Sequence, residues 1–130
     1  MNNNTFEIFE EVIIQRLQKL NKEQLEGASY FLFTLHERLP VHWKTAVFLN
    51  ELALAELFDI ISEMCTYLKT ITQRYKSTNW LNGSLVIIDI FRIHLKALYR
   101  DHYKLEEFTN LLKHFINIAD DLLECDVAIV

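Results

Sequence analysis

The chain carries almost no backbone punctuation, with two glycines and one proline in 130 residues. Average usage would supply roughly fifteen such residues at this length. They are the strongest local breakers of regular structure. Around Gly27, Pro40 and Gly83 the apolar residues recur at helical spacing almost throughout. The pattern predicts an all-α fold: a compact, mostly antiparallel bundle of five helices, or six if the third segment breaks. Residues 1–130 are read as a single domain, since a chain of this length buries roughly two thirds of its unfolded surface around one core.

Asn4 followed by Glu7 reads as a capping box, and Phe6, Phe9, Ile13, Leu17 and Leu20 then mark a helix over about residues 5–20. Asn21 and Gln24 form a second box. The helix after it carries Leu25, Ala28, Leu32, Leu35 and Leu39 in three-four spacing, with Tyr30, Phe31 and Phe33 widening its apolar arc. Gly27 lies inside this helix, where it costs about 1 kcal/mol against alanine, so close packing against a neighbour is expected there. Pro40 ends the segment, because the residue before a proline is pushed out of the α region.

Residues 41–76 contain no breaker, and Trp43, Val47, Asn50, Leu54, Leu57, Ile61, Met64 and Leu68 keep a heptad-like rhythm. A single helix of that span would be about 54 Å long, against a radius of gyration of about 14 Å for a domain of this size. The segment therefore either breaks, most plausibly near Asn50, or projects toward a partner. Residues 77–84 (STNWLNGS) read as a loop of turn formers, with Gly83 at a turn and Ser84 capping the next helix. That fourth helix is expected over 85–99, a connection over 101–104, and a fifth helix over 105–124. An apolar tail, 127–130, then packs on the bundle end or meets a second chain.

Composition narrows the function classes. Half the residues are apolar and the net charge is −5, which argues weakly against a nucleic-acid binder, since phosphate neutralisation needs clustered lysine and arginine. Cys65 and Cys125 lie far apart and fit neither a metal spacing nor a disulfide framework, so a reduced, cytoplasmic protein is expected. The acidic start lacks the basic region of a signal peptide. The most apolar run, 85–99, is too short and too charged to span a bilayer, so no membrane partner is expected.

No catalytic, cofactor-binding or metal-binding motif emerges. No His-x-x-x-His or Glu-x-x-His pair is present, which removes the di-metal bundle signature. The carboxylates Glu51, Glu56, Asp59 and Glu63 lack nearby imidazole or thiolate and read as a solvated face. Small all-helical ribonucleases of the HEPN class carry Arg, four to six residues, then His. Here only three residues separate Arg38 from His42, and one is Pro40. His94, on the apolar side of its helix, reads as a packed histidine.

Three surfaces remain as candidates. Arg92, Lys96 and Arg100 fall with Asp89 within about 80° of one helical face, continued by Lys104. With Tyr99 and Tyr103 they make a basic-aromatic edge for an anionic partner, or simply the solvated strip of an amphipathic helix. Trp43, Val47, Asn50 and Leu54, with Tyr30, Phe31 and Phe33, form a candidate self-association seam in which Asn50 would set the register. Asp120, Asp121, Glu124 and Asp126 crowd the end of the fifth helix, where negative charge is unfavourable. They would face Lys69, Arg74 and Lys76 at the same end of the bundle, or dock a basic partner. The expected function is a non-enzymatic interaction module: a small regulator, adaptor or inhibitor that binds another protein and forms a homodimer. The alternatives are a helical subunit touching nucleic acid through Arg92, Lys96, Arg100 and Lys104, and, behind it, an all-helical hydrolase or ribonuclease.

Overall fold

The computed structural model describes residues 3–40, 43 and 47–129, with the backbone alone at 3, 4, 75 and 125–129. Five helices follow in order: α1 (Asn3–Lys19), α2 (Lys22–Arg38), α3 (Glu51–Tyr75), α4 (Thr78–Arg100) and α5 (Leu105–Ile129). Where glycine and proline are scarce, side chains mark the helix starts. Asn21 Oδ1 accepts from the Gln24 N–H at 2.9 Å while Gln24 Oε1 accepts from the Asn21 N–H at 3.0 Å, a complete capping box. Asn50 Oδ1 accepts from the Ala53 N–H at 2.8 Å. Ser77 Oγ accepts from the Trp80 N–H at 3.1 Å and donates its own proton to Glu23.

The helix ends are equally local. α2 stops at Leu39, whose extended backbone (ψ 134°) is what the following Pro40 demands. α4 ends in a Schellman motif: the His102 N–H donates to the Tyr99 carbonyl at 3.1 Å and the Tyr103 N–H to the Leu98 carbonyl at 3.1 Å. His102 takes the left-handed conformation (φ 55°) that glycine usually occupies there.

Several sequence expectations are corrected. The stretch 77–84 is not a loop: α4 begins at Thr78, capped by Ser77 rather than Ser84, and Gly83 lies inside it at negative φ. The turn-forming composition is overridden because Trp80, Gly83 and Ser84 are all buried against α2. α1 begins at Asn3, so Asn4 falls within the helix rather than ahead of it. α5 continues helically to Ile129, beyond the expected end at 124. The long third segment breaks at Asn50, which is the N-cap of α3 and not a position in a helical seam. Ahead of it the chain is extended and ties to the α4–α5 connection. The Leu49 N–H donates to the Tyr103 carbonyl at 2.7 Å and the Leu105 N–H to the Val47 carbonyl at 2.9 Å, giving the short bridge between Phe48 and Lys104.

The connections α1–α2, α3–α4 and α4–α5 are short, so the helices run alternately up and down. Rows of contacts agree: Gly27 meets Trp80 and Phe31 meets Phe91, so α2 and α4 run in the same direction. α4 is the central helix, packed against α1, α2 and α3. At its middle the fully buried Phe91 meets four rings edge-on: Phe9 at 5.2 Å, Phe31 at 5.6 Å, Phe108 at 6.4 Å and Phe115 at 6.5 Å. These near-perpendicular geometries place ring edges against ring faces, the favoured quadrupole arrangement. They knot α1, α2, α4 and α5 at one point.

Near their N-termini α2 and α4 approach so closely that neither glycine has room for a side chain. A Cβ on Gly27 would overlap the Trp80 carbonyl, and one on Gly83 would overlap the backbone of Gln24. Ser84 Oγ sits in the same crossing and donates to the Gly27 carbonyl at 2.9 Å. The buried hydroxyl is thereby satisfied, as burial of a polar group requires.

Candidate functional site

The exposed face of α4 carries Arg92, Lys96 and Arg100, and Lys104 follows in the connection; all four are exposed. Successive side chains four residues apart rise about 6 Å along the helix, so the charges form a line rather than a patch. None of the four is in an ion pair among the described residues; the Arg38–Glu63 pair (3.9 Å) lies elsewhere. Ile93, 72 % exposed, stands on the edge of this line.

Both tyrosines of the expected edge are half-buried. Tyr99 is half-buried against the core. Tyr103 stacks on Phe6 at 4.4 Å and 11°. Burial, and then a hydrogen bond to Glu107, push the Tyr103 hydroxyl well above the usual tyrosine range. One of its ring faces is covered by Phe6.

The proposed seam is dispersed. Phe31 and Trp43 are buried in the core, Tyr30 and Leu54 are half-buried, and Asn50 is a cap. Val47 (61 % exposed) and Phe33 (53 % exposed) remain on the surface, but on different segments. Sequence reasoning missed a groove of about 590 Å³ that Val47 lines; Phe48 and Leu52, close to Val47 in the chain, are also exposed. Leu39, Pro40, Trp43, Val47 and Leu105 line its apolar part. The buried Trp43 Nε1–H finds no acceptor among the described residues. These residues come from three separate segments, so no local spacing announces them. Ile93 could have been noticed as the apolar residue bordering a charged arc.

At the opposite end, the alternation of helices brings the acidic end of α5 to the starts of α2 and α4 and the end of α3. Asp120, Asp121 and Glu124 are exposed, while the Asp126 side chain lies outside the described residues, as do those of 127–130. The Ser29 hydroxyl donates to Asp120 at 3.4 Å. No ion pair joins these acids to Lys69, Arg74 or Lys76 among the described residues, and Lys76 instead sits 5.9 Å over the Trp80 ring.

No three His, Cys, Asp or Glu side chains cluster as a metal site among the described residues. Likewise, no helix described is long and apolar enough to cross a membrane. His42 lies outside the described residues. His94 is half-buried, 5.5 Å from the Phe9 ring, and burial lowers its pKa below the usual 6.5. The sign follows from linkage: the unfolded state takes up this proton first as pH falls. Stability is therefore expected to drop as pH falls below about 6.5 toward the lowered native value. Urea midpoints at pH 7.5 and 5.5 should show a smaller drop for His94→Gln than for the wild type; equal drops would contradict it.

Compared with known proteins, the chain matches no family model, no curated protein and no solved structure.

Proposed function

We propose that this protein is a non-enzymatic helical interaction module that acts by binding protein surfaces, including a second copy of itself. The observation that carries the reading is the apolar groove itself, with the exposed Val47 on its wall and Phe48 and Leu52 exposed close by in the chain. Single exposed apolar residues are ordinary; an open apolar groove with such residues on and near its rim is the pattern of a contact surface. The free, buried thiol of Cys65 suits a reducing, cytoplasmic setting.

Light scattering on the purified chain tests the self-association part. A dimer is expected at about ten micromolar and above, the range of a modest interface. Val47→Glu with Leu52→Glu should return it to a monomer without altering its circular dichroism, because both side chains are mostly in water, and its thermal midpoint should no longer depend on protein concentration. A monomer at the highest soluble concentration would sink the homodimer.

A further inference from the structure

We infer that the exposed face of α4 is a docking lane for an acidic amphipathic helix of a partner protein, an inference that rests on the interaction-module reading. Arg92, Lys96 and Arg100 stand on one face over about 12 Å, and none is neutralised by an ion pair among the described residues. A chain with a net charge of −5 that keeps this line of cations unpaired presents a positive strip on an acidic body. Carboxylates four residues apart on a second helix repeat at the same rise, so each cation has an opposite charge in register.

One observation favours a protein helix over other polyanions. Ile93, the most exposed large apolar side chain among the described residues, adjoins Lys96 and Arg100 on the same face. A desolvated apolar contact inside a polar rim is how protein interfaces gain energy, whereas a phosphodiester backbone offers it nothing to cover. Asp89, also exposed on this face, closes the N-terminal end of the cation line, so the partner helix carries its carboxylates opposite residues 92–100.

The test uses the intact chain and a fluorescent synthetic helical peptide with glutamates at i, i+4 and i+8 and leucines beside them. A control peptide of the same composition spreads its glutamates around the helix. Anisotropy is read in parallel for a labelled single strand, a labelled duplex and phosphatidylserine vesicles at equal salt. The striped peptide should bind more tightly than its control and more tightly than the nucleic acids or vesicles, and should weaken as salt rises. The triple reversal Arg92→Glu, Lys96→Glu, Arg100→Glu should cost about tenfold or more, and Ile93→Ser several-fold. Should the reversal perturb folding, the glutamine triple at the same positions gives the same reading. Equal binding of both peptides, tighter binding of nucleic acid or vesicles, indifference to the substitutions, or no binding at all would each overturn the lane. Light scattering on the same samples reports the Val47 and Leu52 surface separately, so failure of the lane is distinguishable from failure of the interaction-module reading.

Discussion

Gly27→Ala is expected to destabilise the protein by about 3 kcal/mol or more, at the upper end for an overpacked site. In an ordinary helix the same change would stabilise by about 1 kcal/mol, so the sign itself is diagnostic. The new methyl group would sit within 2.8 Å of the Trp80 carbonyl carbon and 3.0 Å of Ser84 Oγ. The obstacle is mostly backbone, which cannot rotate away as a flexible side chain can. Relief requires α2 and α4 to move apart, and that lengthens the Ser84–Gly27 hydrogen bond and loosens the core below it. Gly83→Ala meets the Gln24 main chain, including its Cα at 2.6 Å, and should behave alike. Because both substitutions force open the same crossing, their effects should be less than additive. Thermal melts followed by circular dichroism should fall by roughly 10 °C for either variant. A raised midpoint would show that the two helices do not touch at these positions.

Phe91→Ala should cost about 3–5 kcal/mol, the range for removing a fully buried aromatic ring. Such a loss is a large share of the 5–15 kcal/mol that typically holds a domain together. The ring is shared by four edge contacts from three other helices. The cavity it leaves is therefore walled by several elements, and no single side chain can collapse to fill it. Ile93→Ala, two residues along and mostly in water, provides the contrast and should stay within about 0.5 kcal/mol. Urea titration of both variants checks this; comparable midpoints would mean that the aromatic knot is not the organising contact of the core.

The helices were legible where local chemistry decides them. The Asn21–Gln24 box, the stop at Pro40 and the close packing at Gly27 all follow from residues within a turn or two of one another. The break at Asn50 could be narrowed by length but not located with certainty, since asparagine is acceptable on a helix surface as well as at its start. Residues 77–84 misled because asparagine, serine and glycine are turn formers by propensity, and only the presence of α2 makes Gly83 and Ser84 interior residues. The left-handed His102 was invisible for the converse reason: a Schellman stop is read from glycine, and here a histidine occupies it. Of the surfaces, the line of cations on α4 was readable from periodicity, because a helical face is a property of one segment. The groove beside Trp43 was not, since α2, the extended stretch before α3 and the start of α5 meet there only after folding.

The crossing of α2 and α4 also bears on how relatives of this chain could differ from it. Gly27 and the pair Gly83–Ser84 lie more than fifty positions apart in the sequence, yet they share one crossing, where Gly27 is confined by the Trp80 main chain and Gly83 by that of Gln24. A main-chain obstacle cannot be made smaller by substitution, so a lineage that enlarged either glycine would have to tilt a helix, and that frees the other. The two glycines are therefore expected to be kept or lost together, one spatial contact written as two distant positions of the sequence.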